Sequence, residues 1–198
     1  MELFFATGNQ HKIKEMREIL ADTKIKLITA QDIEQDLREV VEDQDSFKGN
    51  ALKKAREVFQ QLDLATIADD SGLVVDALDG APGVYSARFA GVEASDEENN
   101  QKLLEELKGV EARKRTARFI CAMAFVGPEI EKVVIGSCEG KIIKQLKGDK
   151  GFGYDPLFIP ESYDKSFAQL GNVVKNEISH RSQAFKKMRD RLENYYKL

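Results

Sequence analysis

The chain has 198 residues, 42% hydrophobic and 32% charged, a composition typical of a soluble globular protein long enough to bury a core. Its net charge of -4 argues against a general nucleic-acid binder, which would carry a basic surface. No apolar run approaches the roughly 20 residues that span a bilayer, and the first residues lack a signal-peptide pattern. Cys121 and Cys138 lie in apolar runs and are predicted to be reduced core thiols. We therefore predict one cytoplasmic domain over residues 1–198, with neither nucleic acid nor a membrane as partner.

Hydrophobic periodicity predicts a mixed α/β order of elements. In the first half we expect a strand at residues 3–6 and a helix that begins at about residue 11, capped by Asn9. A second strand at 25–29, an irregular acidic segment at 30–44 and a long amphipathic helix at 46–62 should follow. In the second half we expect a helix that begins with a capping box at residue 95, and a long strand at 115–126 with its hairpin partner at 132–139. A short strand at 157–160 and a closing helix at 182–196 should follow. We predict Tyr195 among the inward-facing residues of the closing helix.

The segment Ala68–Leu73 carries two adjacent carboxylates followed by Ser-Gly. Because an apolar run precedes them, we expect Asp69 and Asp70 at the end of a strand, on a turn that Gly72 allows to bend sharply. Neighbouring carboxylates at a strand end suit Mg²⁺, which takes oxygen ligands and keeps waters that a phosphate can displace. The alternative is a polar turn in which one aspartate caps backbone amides.

Residues 7–12 lie where the first strand enters the first helix. Backbone amides at a helix N-terminus attract phosphate, Gly8 permits close approach, and Lys12 supplies a mobile positive charge. The same pattern fits an ordinary N-cap followed by a surface lysine, and His11 taken alone favours a surface position on the helix.

Glu42 precedes the helix that carries Asn50 and Lys54. Together with Asp70 it would complete a Mg²⁺ site built from two segments of the chain. The alternative is one more surface acid in an acidic loop.

Two segments of the second half suit a flat ligand. In residues 148–156, Phe152 can stack on a base and Asp155 can accept hydrogen bonds from a ring N–H. A tight turn with core aromatics is the alternative there. Just before the last helix, His180 and Arg181 would project from its first turn as donors to a base carbonyl or a phosphate. A capped helix with a solvent-facing pair is the alternative.

Together these segments resemble the inosine triphosphate pyrophosphatase family over essentially the whole chain and in the same order. The shared motifs are Ala-Thr-Gly-Asn-x-x-Lys, Phe-x-x-Asn-Ala, Ala-Asp-Asp-Ser-Gly-Leu, Gly-Ala-Pro-Gly-x-Tyr-Ser-Ala-Arg, Gly-Phe-Gly-Tyr-Asp-Pro and Ile-Ser-His-Arg, at residues 6–12, 47–51, 68–73, 80–88, 151–156 and 178–181. The Ala-Asp-Asp-Ser-Gly form looks like the bacterial branch of this family.

The resemblance implies an α/β fold with a long twisted mixed sheet, whose flanking helices form two lobes around a central cleft. It implies Mg²⁺-dependent hydrolysis of dITP, ITP and XTP to the monophosphate and pyrophosphate, by a homodimer. Asp70 would be the general base, Glu42 and Asp70 would bind Mg²⁺, and Ser71 would contact substrate beside the metal. The implied triphosphate contacts are Thr7, Gly8, Asn9, Gln10, His11 and Lys12. The implied base and sugar contacts are Phe152, Gly153, Tyr154, Asp155, Lys175, His180 and Arg181. The same site would include Asn50, Lys54 and Asp69.

Gln169 and Val174 stand where the family commonly has acids, a difference that concerns local loop contacts rather than the chemistry. Two other classes of function remain. A nucleotide-binding module without catalysis would lack a carboxylate placed for water, and a phosphohydrolase with an aspartyl nucleophile would release orthophosphate. The product released therefore separates the three hypotheses.

Overall fold

A computed structural model describes the backbone of residues 2–196 and the side chains of residues 2–192. The strands are β1 (Glu2–Phe5), β2 (Lys26–Ile28), β3 (Thr66–Val75), β4 (Thr116–Gly127), β5 (Ile130–Ile142) and β6 (Phe158–Pro160). The helices are α1 (Gln10–Leu20), α2 (Phe47–Leu62), α3 (Asp96–Glu106), α4 (Phe167–Leu170), α5 (Asn172–Ile178) and α6 (His180–Tyr196). None of the described helices is long and apolar enough to cross a membrane.

The six strands form one sheet in the order β2-β1-β3-β4-β5-β6. β1 pairs in parallel with β2 and β3, whereas β5 and β6 are antiparallel, so the sheet is mixed. Parallel neighbours need a crossover connection: α1 connects β1 to β2, and the chain returns through α2 to β3 on the other side of β1. The predicted α/β class, with a mixed sheet and flanking helices, is confirmed.

The chain divides into two compact units. The first is made of three segments, residues up to 70, 121–136 and those from 181 onward. Within this unit β1, β3 and β4 are buried on both faces, and their successive side chains point to opposite sides. Leu3 and Phe5 of β1 lie in a core with α1 and α6, whereas Phe4 and Ala6 lie in a second core with α2. The central strands of this unit are thus covered by helices on both sides.

The second unit is made of residues 71–120 and 137–180. Its core joins Leu73 and Val75 of β3 to apolar residues of α3, β4, β5 and β6. Aromatic rings fill its centre, with Phe119 and Phe158 at 4.8 Å between ring centroids and Phe158 and Phe167 at 5.4 Å. Edge-to-face and offset ring pairs of this kind add to the stabilisation that burial provides.

The predicted turn at Gly72 is wrong, because β3 continues through it as one strand to Val75. Leu73 and Val75 have no exposed surface, and their burial in the core of the second unit stabilises an extended backbone beyond the two aspartates. Glycine permits a turn but does not require one. The carboxylates therefore lie within a strand rather than at its end.

Several local signals are confirmed. Asn9 caps α1, and Ser95 with Glu98 forms the capping box of α3, both as predicted. The long helix α2 begins at Phe47, close to its predicted start, with Ser46 as its N-cap. Both cysteines are buried and free, as predicted. The sequence did not indicate α4 and α5, because helices of four and seven residues are too short to show a clear hydrophobic period.

At the end of the chain, α6 begins at His180, two residues before the predicted start. The side chain of Tyr195 lies outside the described residues. The central cleft and the single-domain organisation stay predictions.

Candidate functional site

Asp69 and Asp70 point to opposite faces of β3, so they do not act as a pair of neighbouring carboxylates. Ile67 belongs to the core under α1 and α6, and Ala68 to the core under α2. The alternation continues along the strand, and Asp70 bonds to Asn50 of α2. The expectation of two carboxylates on one turn is therefore wrong, and each aspartate has surroundings of its own.

Asp69 is fully buried and bonded to two cations. Lys12 Nζ lies 3.2 Å from its Oδ1, and Arg181 Nη2 and Nε lie 3.0 and 3.1 Å from its Oδ2. Burial by itself would raise the pKa of this carboxyl, but the charges of Lys12 and Arg181 outweigh burial and hold its pKa well below the usual range. Asp69 is thus an ionised group that holds Lys12 in place.

Arg181 is directed into the first unit rather than out of the first turn of α6. Its side chain is 1% exposed, and its Nη1 donates to Glu15 while its other donors bond Asp69. The expectation that Arg181 projects from the first turn of α6 is wrong, because carboxylates of its own unit hold the guanidinium. Its contact with a base stays a prediction. Glu15 was not predicted; an acid between Ile13 and Met16, on the buried face of α1, was the available signal.

Asp70 lies on the side of α2 and is 6% exposed. Its Oδ2 accepts a hydrogen bond from Asn50 Nδ2 at 2.9 Å, and Asn50 Oδ1 accepts from the Gln44 amide at 2.9 Å. Glu42, two residues before Gln44, forms an ion pair with Lys54. Burial raises the pKa of Asp70; the hydrogen bond from Asn50 opposes this, and the negative charge of Glu42 raises the pKa further.

These charges fit a divalent cation. Glu42 and Asp70 interact as like charges, and an ion bound by both would replace that repulsion with attraction. Within residues 2–192, no three His, Cys, Asp or Glu side chains are grouped to hold a metal. An ion held by these two carboxylates would keep coordination positions for water or substrate oxygens, which suits Mg²⁺ better than a closed zinc site.

The turn between β1 and α1 is a helix N-cap. Asn9 Oδ1 accepts from the amides of His11 and Lys12 at 2.9 and 3.2 Å, so those two amides already have an acceptor. Thr7 is half-buried, and exposed positions follow at Gly8, Asn9, Gln10 and His11. Lys12 is not a surface lysine, because its side chain is 14% exposed and bonded to Asp69.

In the second unit, Asp155 organises the loop that carries Phe152. Its Oδ2 accepts from the Phe152 amide at 3.0 Å and from Lys175 Nζ at 2.5 Å. Lys175 Nζ also lies 4.3 Å from the Phe152 ring centroid, a cation–π contact on one ring face. Tyr154 is buried, and its hydroxyl donates to the Ser86 carbonyl at 2.9 Å. Asp155 is thus bonded both to its own loop and to Lys175 of α5, and half-buried Phe152 is the more accessible of the loop's two aromatic residues.

His180 is 5% exposed, and its ring stacks on Phe119 with centroids 4.9 Å apart and an interplanar angle of 13°. This stack fixes the plane of the imidazole. Ser71 is half-buried and follows Asp70 directly along β3. The predicted residues therefore form charged clusters in the first unit and an aromatic and lysine cluster in the second.

A family model described as the Ham1 family matches residues 3–191. The dITP/XTP pyrophosphatase of Clostridium perfringens is 44% identical over 203 residues, covering 99% of this chain and 99% of that protein. That of Desulforamulus reducens is 46% identical over 197 residues, covering 99% and 98%. The solved structure of a HAM1 protein from Coxiella burnetii is 38% identical, covers 98% of this chain and 99% of that one, and has a TM-score of 0.87. The resemblance inferred from the motifs is confirmed, and the chain belongs to the Ham1 family.

Proposed function

We propose that this protein hydrolyses non-canonical purine nucleoside triphosphates, namely dITP, ITP and XTP, to the nucleoside monophosphate and pyrophosphate. Relatives named dITP/XTP pyrophosphatase, 44% and 46% identical over nearly the full chain, support the reaction. The observation that carries it is Asp70, a buried carboxylate held by Asn50 beside the ion pair of Glu42 and Lys54. Asn50 and Lys54 lie four residues apart on one face of α2, so the helix presents an amide and a cation together.

In this proposal Asp70 accepts a proton from the attacking water. The water oxygen bonds to phosphorus while the bond from that phosphorus to the leaving phosphate oxygen breaks, so no covalent enzyme intermediate forms. Lys12, held by Asp69, and Lys54 offset the negative charge of the phosphates. Glu42 and Asp70 would hold Mg²⁺, which when bound stabilises charge on the phosphate oxygens.

We assign base recognition to the second unit. One face of Phe152 is covered by Lys175, and its other face would stack on the purine. Hypoxanthine and xanthine carry a 6-oxo acceptor where adenine carries a 6-amino donor, and His180 would donate to that oxygen. A donor facing adenine's amino group would be left unpaired, which penalises ATP.

We also propose that residues 1–198 act as one functional domain in the cytoplasm and that two copies form a homodimer. The support for these three points is the resemblance to the inosine triphosphate pyrophosphatase family together with the near-complete match to relatives of the same length. The proposed partners are the nucleotide substrate and, in the dimer, a second copy of the chain.

The test is a nucleotide panel of ITP, dITP, XTP, GTP and ATP, with pyrophosphate and orthophosphate both measured, in Mg²⁺ and after its removal with a chelator. We expect pyrophosphate as the product, activity that requires Mg²⁺, and kcat/KM for ITP, dITP and XTP above that for ATP by up to about 10⁴-fold. GTP shares the 6-oxo group, so its rejection would depend on its 2-amino group, and we expect intermediate or poor turnover.

Three results would contradict the proposal in different ways. Release of orthophosphate would indicate a phosphohydrolase of another class. Binding of the nucleotides without turnover would indicate a binding module. Comparable kcat/KM for ATP and ITP would overturn the assigned base recognition even with pyrophosphate as the product.

A further inference from the structure

The first turn of α3 bonds to both backbone groups of Gly153, the residue after Phe152. Asp96 Oδ2 accepts from the Gly153 amide at 2.6 Å, and Asn100 Nδ2 donates to the Gly153 carbonyl at 2.8 Å. Because residues four apart share one face of a helix, these two side chains hold Gly153 from the same side. The capping box of α3 uses Ser95 and Glu98, so neither Asp96 nor Asn100 is needed to cap the helix.

The orientation of the Asn100 amide follows from its bonds. Asn100 is 3% exposed, and Nδ2 donates to two carbonyls, those of Gly153 and Asp96, at 2.8 and 2.7 Å. Turning the amide over would place Oδ1 against both carbonyl oxygens. In its present orientation Oδ1 is buried and has no hydrogen-bond partner among the described residues, which is a cost in free energy. The two donor bonds therefore decide where this amide sits.

Gly153 is the point at which the loop direction is set. Its φ of +60° lies in the left-handed region, so the chain turns sharply between Phe152 and Tyr154. Beyond this turn, Tyr154 is held by Ser86 and Asp155 by Lys175. Holding the Gly153 amide and carbonyl fixes the two peptide planes on either side of Gly153. One of them is the peptide that joins Phe152 to Gly153, so it constrains the direction of the half-buried Phe152 ring.

We propose that Asp96 and Asn100 are positioning residues, which act through Gly153 to hold Phe152 against the purine base. This inference rests on the proposed function, because it requires the loop to contact a base. Neither residue would touch the substrate phosphates or the attacking water. Their loss should weaken binding of the base without changing the chemical step, which raises KM and leaves kcat nearly unchanged.

The first experiment compares Asp96→Ala with Asp96→Asn in the full chain. Alanine removes the acceptor for the Gly153 amide, whereas asparagine keeps an acceptor oxygen. We expect KM for dITP to rise about tenfold in Asp96→Ala, the effect of one lost charge-assisted hydrogen bond, and to return close to the wild-type value in Asp96→Asn. Glu97→Ala is the matched control, since it removes an exposed acid from the same helical turn.

The second experiment removes the Asn100 donor to the Gly153 carbonyl. Asn100→Asp keeps the shape of the side chain but places a carboxylate against two carbonyls, and we expect KM for dITP to rise at least as much as in Asp96→Ala. Gln101→Glu makes the same amide-to-acid change on the exposed face of α3, where Gln101 bonds Glu105, and should leave KM unchanged. Thermal unfolding of each variant shows whether it is folded at the assay temperature.

Inhibition by two reaction products distinguishes a positioning role from general structural damage. Inosine monophosphate carries the base, whereas pyrophosphate carries only phosphates. For Asp96→Ala we expect the inhibition constant of inosine monophosphate to rise with KM, and that of pyrophosphate to stay at the wild-type value. Equal rises for both products, or an Asp96→Ala variant indistinguishable from Glu97→Ala, would overturn the positioning role. A wild-type protein that does not hydrolyse dITP would instead overturn the proposed function, and the inference with it.

Discussion

At the scale of single residues, Asp69 and Asp70 are chemically identical neighbours with different surroundings. Asp69 is bonded to Lys12 and Arg181 and has a lowered pKa, whereas Asp70 is bonded to the neutral Asn50 and has a raised pKa. The cause is the alternation of β3, which turns one carboxylate toward the cations of α1 and α6 and the other toward α2. Exchanging each carboxylate for an amide should therefore affect the free energy of unfolding differently at the two positions.

We expect Asp70→Asn to lower kcat for dITP by about 10²–10⁴-fold, the usual effect of losing a general base. The free energy of unfolding should stay the same or rise, because the raised pKa means that folding disfavours the ionised form of this carboxyl. Steady-state kinetics and urea unfolding at neutral pH measure the two quantities. Asp45→Asn, an exposed aspartate before α2, is the control. Activity close to wild type in Asp70→Asn would contradict its assignment as the base.

We expect Asp69→Asn to lower the free energy of unfolding by about 3–5 kcal/mol, because it leaves the buried guanidinium of Arg181 without part of its counter-charge. The same urea experiment measures it, with Asp70→Asn as the matched comparison one residue away. Equal stability of the two variants would show that the Asp69 cluster does not hold the first unit together.

Glu42→Gln should chiefly change the dependence on Mg²⁺. The amide keeps one ligand oxygen but loses the charge, so we expect the activity to fall at low metal concentration and to return in part at high concentration. A Mg²⁺ titration of dITP hydrolysis measures this, with Glu39→Gln as the control from the same loop. An unchanged titration would assign Glu42 to the surface acids of that loop.

At the scale of elements, the loop of residues 151–156 depends on close approach to Asp155. Gly151 has a φ of +81°, and a Cβ there would lie 2.1 Å from Asp155 Oδ2. Gly109 also has a left-handed φ, of +84°, but a Cβ there would meet no heavy atom within 4 Å. Alanine at Gly109 would introduce backbone strain alone, whereas alanine at Gly151 would add a clash with Asp155 of the ion pair with Lys175.

We expect Gly151→Ala and Gly109→Ala each to lose about 1–2 kcal/mol of unfolding free energy, the cost of a left-handed alanine. Gly151→Ala should lose more, because it also displaces the buried Asp155 from Lys175, and only this variant should raise KM for dITP. Urea unfolding and steady-state kinetics on both variants test this. Identical behaviour of the two would show that Asp155 moves aside without consequence.

The two departures from the family pattern lie at this scale as well. Gln169 forms a capping box with Ser166 at the start of α4, a role that glutamine fills as well as an acid. Val174 lies within α5, directly before Lys175. For Gln169, the structure thus supplies a local reason why an uncharged residue is accepted.

At the scale of the whole molecule, the two units carry different parts of the proposed chemistry. The acids and lysines assigned to the phosphates and Mg²⁺ belong to the first unit, and the aromatic and lysine cluster assigned to the base belongs to the second. Changes in the second unit should therefore raise KM more than they lower kcat, as the Asp96 variants test.

The homodimer is also a prediction at this scale. Sedimentation equilibrium should give twice the mass of one chain at micromolar concentration, whether or not nucleotide is present. A mass of one chain over the whole concentration range would contradict the dimer without affecting the proposed reaction.

Local sequence patterns indicate most of the order of elements, the caps of α1 and α3, and the family. These features are local, because a cap needs only residues within one helical turn and a strand shows its period over a few residues. The motif segments around Lys12, Glu42, Asp70 and Phe152 were found in the same way. The short helices α4 and α5 were missed, because too few residues carry their period.

The surroundings of each motif residue depend on the tertiary structure. The strand continues through Gly72 because Leu73 is buried against residues distant in sequence, among them Leu103 and Leu157, and the alternation of this strand separates Asp69 from Asp70. The position of Arg181 depended on Glu15, 166 residues earlier in the chain. Charge pairs of this kind form between segments that meet only on folding, so no local pattern of the sequence could assign them.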